Sequence, residues 1–365
     1  MSKAAELANL IGNINAGGGG VNRNVIINGA MKVAQRGTSS TGIGASGGFF
    51  TCDRWAIDVS GTDGRLTATQ DSSAPSGFAN SLKFDCTTAD TSIASGEFLT
   101  IQHRIEGQNV QSFAKGTSDA KPFAVSFYVK GNASATYVAE LYDNDNTRQI
   151  SKTFNVTTDW TRVELTYPAD TTGAFDDDNA LSLYLIIWLH AGSTYTSGTL
   201  NSSSWASVTS ANRAAGISSF FDSTDRTFFI TGVQLEVGQN PTSFEHEPKE
   251  RTLLKCHRYY RRWGKQSGDK PVIAAGMAYS ASAVFFPLTL DVPMRSQPTV
   301  DYSNLPRAYK TTTAARLTSI SINTNESDEH SVRLEGAKSN YFTAEAATWL
   351  QVDTVGEWFA LKAEL

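Results

Sequence analysis

This chain has little of what usually announces a function. Of its 365 residues three are cysteine, four methionine and five histidine, and charged residues make up 18%. Cys52, Cys86 and Cys256 are too few and too scattered for a disulfide framework, and read as reduced, small buried hydrophobes. The longest apolar run, "LYLIIWL" at Leu183 to Leu189, falls far short of the roughly 20 residues a membrane-spanning helix needs. "MSKAAELANL" at the N-terminus lacks the apolar core of a signal peptide, so the sequence predicts folding in a cytosol. A formal net charge of -5 argues against bulk attraction to nucleic acid or to anionic membranes. Catalytic signatures are missing too: there is no Gly-x-Ser-x-Gly elbow and no recognisable pair of carboxylates for glycan hydrolysis.

What is present is Gly, Ser, Thr, Asn and Asp between short apolar runs, which favours an all-β protein with many turns. Residues 2 to 15 are the exception. There Leu7, Leu10, Ile11 and Ile14 form one apolar helical stripe, too short to be stable alone, and they are the candidates for attachment or oligomerisation. "GGGG" at Gly17 to Gly20 reads as a flexible joint closing a segment 1–20.

From 21 to 247 the period becomes two. "FAVSFYVK" places Phe123, Val125, Phe127 and Val129 on one face; "TRVELTY" does so with Val163, Leu165 and Tyr167, and "FITGVQLEV" with Phe229, Val233, Leu235 and Val237. Such strands predict an antiparallel jelly-roll β-sandwich, in which "LSLYLIIWL", apolar on both faces, is a central strand or one that meets another subunit. Residues 248–264 read as a connecting amphipathic helix with Leu253, Cys256, Tyr260 and Trp263 along one face, and 265–365 as a second, smaller β-sandwich domain.

Several places invite chemical readings. "DNDNTRQ" from Asp143 starts like a calcium loop but lacks its glycine and closing glutamate, and reads as a polar hairpin tip. Asp176, Asp177 and Asp178 form an acidic run that could hold Ca²⁺ or be a solvated loop; no metal site and no cofactor is expected. "FEHEPKERTLLKCHRYYRRW" offers only His246, Cys256 and His257 to zinc, with no fourth ligand nearby. Its interleaved arginines and tyrosines could stack on nucleic acid or bury in a seam between domains or subunits; the acidic chain favours the seam. Trp205, Tyr142, Tyr195 and Trp55 are the candidate rings for glycan contact, with Trp205 in "NSSSWAS" the best exposed.

In series, "NRNVIINGAMKVAQRGTS", "FFTCDRWAI", "FAVSFYVKG", "TTDWTRVELTYPADTTG" and "FFITGVQLEVGQNPTSFEHEP" resemble a group of bacteriophage virion proteins, mostly tail-fibre or minor structural proteins. Their first domain is similar to jelly-roll carbohydrate-binding modules. The resemblance implies a non-enzymatic virion protein on the particle exterior: a tail fibre or spike subunit, homotrimeric as fibre proteins are as a group, attached to other virion proteins and touching host surface glycan. It also admits a capsid decoration or head-fibre protein, and less readily a glycan depolymerase. Related modules often hold a structural calcium on acids of the first and last strands; the corresponding places are Ala30, Met31, Thr231 and Gly232, so the calcium is not carried over.

Overall fold

The structure, a computed structural model, describes residues 2–15, 22–264, 271–310 and 313–365. The Gly17 to Gly20 joint and the side chain of Ile14 lie outside the described residues. The chain divides into two compact units, Met1–Thr252 with Leu365, and Leu253–Glu364.

In the first unit helix α1 (Lys3–Asn15) precedes the strands, and Leu7, Leu10 and Ile11 are exposed on it. The strands are β1 (Ser39–Ile43), β2 (Gly48–Phe49), β3 (Trp55–Ser60), β4 (Arg65–Asp71), β5 (Ser81–Thr88) and β6 (Phe98–Glu106). They continue as β7 (Phe123–Gly131), β8 (Ala135–Asp143), β9 (Arg148–Val156), β10 (Thr161–Tyr167) and β11 (Leu181–Ala191). A short helix α2 (Ser193–Thr196) then leads to β12 (Ala206–Ser207) and β13 (Thr227–Val237). Two antiparallel sheets result, ordered β1-β4-β5-β13-β7-β10 and β12-β9-β8-β11-β6-β3-β2, a β-sandwich of the jelly-roll class.

Alternation explains how they stack. Phe123, Val125, Phe127 and Val129 of β7 are wholly buried, as are Leu183, Leu185, Ile187 and Leu189 of β11, and both sets belong to one core. Each large apolar side chain so buried contributes about 1.5–3 kcal/mol relative to exposure. Tyr167 ends β10 inside that core, its hydroxyl donating to Ala139 O at 2.9 Å. In β13 the expected alternation breaks. Phe228 and Ile230 are the wholly buried apolar residues of its first half and Phe229 is only half-buried, because the ladder shifts between Thr231 and Gln234, where Gly232 adopts φ +62. The bulge resets the period so that Val233, Leu235 and Val237 again join the core.

Before β1 the chain is irregular, and side chains take over the pairing. Asn24 donates from Nδ2 to Val233 O (3.2 Å) and its Oδ1 accepts from Leu235 N (3.1 Å), while Val233 N donates to Gly29 O (3.0 Å). A Cβ on Gly29 would stand 2.1 Å from Val233 O, so only glycine permits this approach. Ala30 and Met31 are buried, and Thr231 donates to Asn80 O at 2.7 Å.

One buried charge ties the loops together. Lys115, whose side chain is wholly buried, reaches Asp143 (2.5 Å), Asp170 (3.2 Å) and the carbonyls of Thr172 (3.0 Å) and Gly173 (2.6 Å). The "DNDNTRQ" stretch is a hairpin between β8 and β9, with Asp143 anchoring this lysine from its base.

The second unit shares helix α3 (Lys249–His257), within which the boundary falls. Its strands are β14 (Tyr260–Gly264), β15 (Val272–Ala278), β16 (Ala283–Thr289), β17 (Thr299–Tyr302) and β18 (Arg307–Lys310). The rest are β19 (Thr313–Arg316), β20 (Ser319–Ile322), β21 (Ser331–Ala337), β22 (Ala347–Gln351) and β23 (Trp358–Lys362). A three-stranded sheet, β14-β23-β17, and a seven-stranded sheet, β19-β18-β22-β15-β16-β21-β20, enclose a core that includes Phe286, Leu334, Leu350, Phe359 and Leu361.

Here the expected helix over 248–264 is corrected. It ends at His257, and Tyr260 and Trp263 lie on β14, paired with Lys362 and Phe359 of β23. The aromatic, β-prone run "YYRRW" pairs as strand where helical spacing suggested one apolar face. Leu253 and Cys256 remain on the helix, Cys256 buried; Tyr260 is buried, and Trp263 packs on Phe359 at 6.1 Å between ring centroids.

Removing one partner of a buried ion pair costs about 3–5 kcal/mol. Lys115→Ala is therefore expected to destabilise the first unit by about that amount, read as a lower urea midpoint, whereas exposed Lys249→Ala should leave the midpoint unchanged.

Candidate functional site

The outward face of the seven-stranded sheet in the first unit is where rings and hydrogen-bonding groups gather. Cross-strand register makes one row of Arg104 (β6), Tyr184 (β11), Tyr142 (β8) and Gln149 (β9), and a second of Gln102, Ile186, Glu140 and Ser151. Phe49 on β2 pairs with Ala56, which pairs with Gln102, so Phe49 extends the face beyond β3.

Loops cover half of it. Segment 193–217 lays Tyr195, Leu200, Ala214 and Ile217 against Val138, Ile186 and Trp188, so the doubly apolar β11 is the central strand of its sheet, covered on both sides. Asn201 Nδ2 donates to Gln149 O (2.8 Å), and β12 pairs with β9. The fastener is Glu140, wholly buried, which accepts from Arg213 Nε (2.8 Å), Arg213 Nη2 (3.0 Å) and Trp188 Nε1 (2.7 Å). Burial pushes the Glu140 carboxyl above its ordinary range, against the opposing pull of Arg213 and Trp188.

The other half stays accessible. Tyr142 and Tyr184 are half-buried and meet edge-on at 5.6 Å. The Arg213 guanidinium stands 5.0 Å from the Tyr142 ring centre, and that of Arg104 stands 5.7 Å from Tyr184 and 5.9 Å from Phe49. Arg104 also donates to Gln102 Oε1 (3.2 and 3.0 Å) and to the main-chain oxygen of Leu365 (2.5 Å), and Gln102 Nε2 donates to Asp58 Oδ2 (2.9 Å). Burial raises the pKa of the Tyr184 hydroxyl against the pull of Arg104, and as a neutral phenol it can both donate and accept. Half-buried rings flanked by the Asp58 carboxylate and the Arg104 guanidinium, both held in place by buried Gln102, can stack on the apolar face of a sugar and bond its hydroxyls.

The four candidate rings part company. Tyr142 lies on this face, and Tyr195 lies in its cover, against Trp188 at 5.1 Å and Phe98 at 5.6 Å. Trp205 is corrected: it is buried, donating to Pro168 O (2.9 Å) and packing on Phe123 at 5.4 Å, because the polar segment around it folds back over the core. Trp55 is corrected likewise, buried beside His103 and donating to Asn28 O at 3.1 Å. Sequence reasoning missed Phe49, Arg104 and Tyr184; Tyr184 was visible as the polar interruption in "LSLYLIIWL".

A concavity of about 570 Å³ lies elsewhere in the unit, away from this face, lined by Phe78, Tyr128, Arg162, Phe244 and His246 among others. His246, weighed above for zinc, packs 5.0 Å from both Phe78 and Phe244. Asp176, Asp177 and Asp178 sit in an exposed loop; among the described residues the group able to gather three metal-ligating atoms is Asp90, Glu97 and His190.

No family model and no curated protein matches the chain. Solved structures similar to part of it include the xylan-binding CBM22-1 domain of a Paenibacillus barcinonensis protein (10% identity, covering 57% of this chain and 91% of that one, TM-score 0.27). Another is the family 11 carbohydrate-binding module of Clostridium thermocellum (11% identity, 57% and 98%, TM-score 0.27). A third is the enzymatically active domain of a tailspike protein of bacteriophage CBA120 (12% identity, 59% of this chain but 21% of that one, TM-score 0.31). Likeness this distant carries no functional argument, which rests on the residues above.

Arg213→Ala leaves Glu140 buried without its cation and is expected to cost about 3 kcal/mol near pH 7. A carboxyl whose folded pKa is raised contributes stability at low pH that is lost as pH rises, so the deficit should shrink as pH falls towards about 4.3. Urea midpoints at pH 7.5 and 5 check the sign.

Proposed function

We propose that this chain is a non-enzymatic bacteriophage virion protein, a tail fibre or spike subunit, whose first sandwich contacts host surface glycan. The observation that carries the glycan reading is the open half of the outward sheet face, where Phe49, Tyr184 and Tyr142 stand beside Arg104, Gln102 and Asp58. The exposed stripe of Leu7, Leu10 and Ile11 supports attachment through α1, since apolar residues on so short a helix gain stability only when covered. The motif order from Asn22 onward supports the virion role, and fibre proteins as a group suggest a homotrimer.

A head-fibre or capsid decoration protein would use the same α1 stripe, and labelling the protein on intact particles separates head from tail. Affinity electrophoresis of the full chain through host capsule or lipopolysaccharide tests the glycan contact. Tyr142→Ala and Tyr184→Ala are each expected to weaken retardation about 10-fold, with far-ultraviolet circular dichroism unchanged. Unaltered retardation in both variants would remove this face from the reading, and oligosaccharide released from the glycan would overturn its non-catalytic part.

A further inference from the structure

At one end of the first sandwich three metal-ligating side chains converge inside the protein. His190 comes from the end of β11, Asp90 from the loop after β5, and Glu97 from the residue before β6. His190 is wholly buried and the two acids nearly so, and their ligand atoms all lie within 4.8 Å of one another.

The backbone is bent to bring the imidazole there. Trp188 pairs with Thr100 on the outward face, but the ladder slips before His190, which pairs with core residue Leu99. That bulge reverses the alternation, and His190 turns inward beside the Phe221 ring at 5.3 Å. Its Nδ1 is held at 2.8 Å by Ser219 Oγ, which also accepts from Phe221 N at 3.0 Å. Nε2 therefore points at the carboxylates, and lies 3.4 Å from Glu97 Oε2. A charge-assisted N–H···O bond would be about 2.7–2.9 Å. Two ligands each about 2.1 Å from a tetrahedral ion stand about 3.4 Å apart. Asp90 is aimed from behind: Oδ2 accepts from Thr62 Oγ1 (2.7 Å) and Asp63 N (2.9 Å), and Oδ1 from Ser92 N (3.2 Å).

We propose that Asp90, Glu97 and His190 form a binding site for a divalent first-row metal ion of the Zn²⁺ class, which clasps the end of β11 to the loop between β5 and β6. One imidazole nitrogen with two carboxylates suits Zn²⁺ better than Ca²⁺, whose ligands are oxygens. Two carboxyl groups buried side by side call for a cation, and among the described residues the basic side chain gathered with them is His190. Ser219 has the place of the outer-shell group that fixes a ligating imidazole, its hydroxyl free to accept from Nδ1–H once Nε2 binds the ion. Protein donors fill three positions, leaving a fourth for water.

The test is calorimetric titration of the full, chelator-stripped chain with Zn²⁺, with Ca²⁺ in parallel. One Zn²⁺ per chain is expected, with Ca²⁺ far weaker. An outer-shell partner is worth about 10- to 100-fold in affinity, so Ser219→Ala should fall in that range, and Asp90→Asn and Glu97→Gln should each lose at least about 100-fold. His246→Ala, away from the trio, should bind as the parent does. No Zn²⁺ bound, or binding unaltered in both carboxylate variants, overturns the proposal. If a variant fails to fold, Co²⁺ in the unaltered chain decides: strong tetrahedral visible bands support the site, and weak octahedral bands or none refute it.

Discussion

The first sandwich depends on how its irregular opening segment is sewn to its last strand. Residues 22–35 form no strand, yet they lie against β13, which sits between β5 and β7 in the six-stranded sheet. Backbone groups there must find partners or pay for desolvation, and polar side chains supply them. Asn24 bridges Val233 and Leu235; Asn28, buried, donates to Val33 O and Asp53 O at 2.8 and 2.9 Å; Glu245 accepts from Asn22 N and Asn24 N. Glu236, wholly buried in β13, accepts from Thr242 N (2.7 Å) and Gln234 Nε2 (2.9 Å) and pairs with Arg23 at 3.2 Å. The same stitches set the path of 242–246, and so the wall of the cleft at Phe244 and His246.

Period-two stretches were the legible part of the chain. β7 and β10 read correctly because each is regular and its own alternation states which face is buried, whereas β11, apolar on both faces, showed only that it is covered on both. β13 misled at Phe229 because its bulge at Gly232 is a local backbone event that the apolar pattern only blurs. The run after Pro248 misled for another reason. Leu253, Cys256, Tyr260 and Trp263 fit one helical face, but β23, almost a hundred residues later, offers Tyr260 to Gly264 a sheet edge, and pairing with it outweighs local spacing.

Side-chain exposure was the least legible property. Trp205, amid serines, is buried because its neighbours return to β9 and Pro168, whereas Tyr184, amid aliphatics, stays half-exposed because the covering segment 193–217 stops short of it. Where that cover stops is decided by Glu140 and Arg213, residues 73 apart in sequence. The face is therefore a product of strand order and loop anchoring: Arg104, Tyr184 and Tyr142 become neighbours only when β6, β11 and β8 lie side by side.

That makes β11 the strand on which the unit's separate features converge. Its inward residues Leu183 to Leu189 hold the core, its outward Tyr184 joins the open face, its Trp188 anchors Glu140 under the cover, and one bulge later His190 enters the acidic cluster. A strand packed on both faces and hydrogen-bonded on both edges cannot shift one of these groups alone, because close packing transmits displacement along it. Glu140 bonds Trp188, two residues from His190 on the same strand, so the effects on stability of changes at the Glu140 fastener and at the His190 cluster should not be treated as additive. The rigidity that couples them also holds the rings of the face in place before any ligand arrives, which lowers the ordering cost of binding.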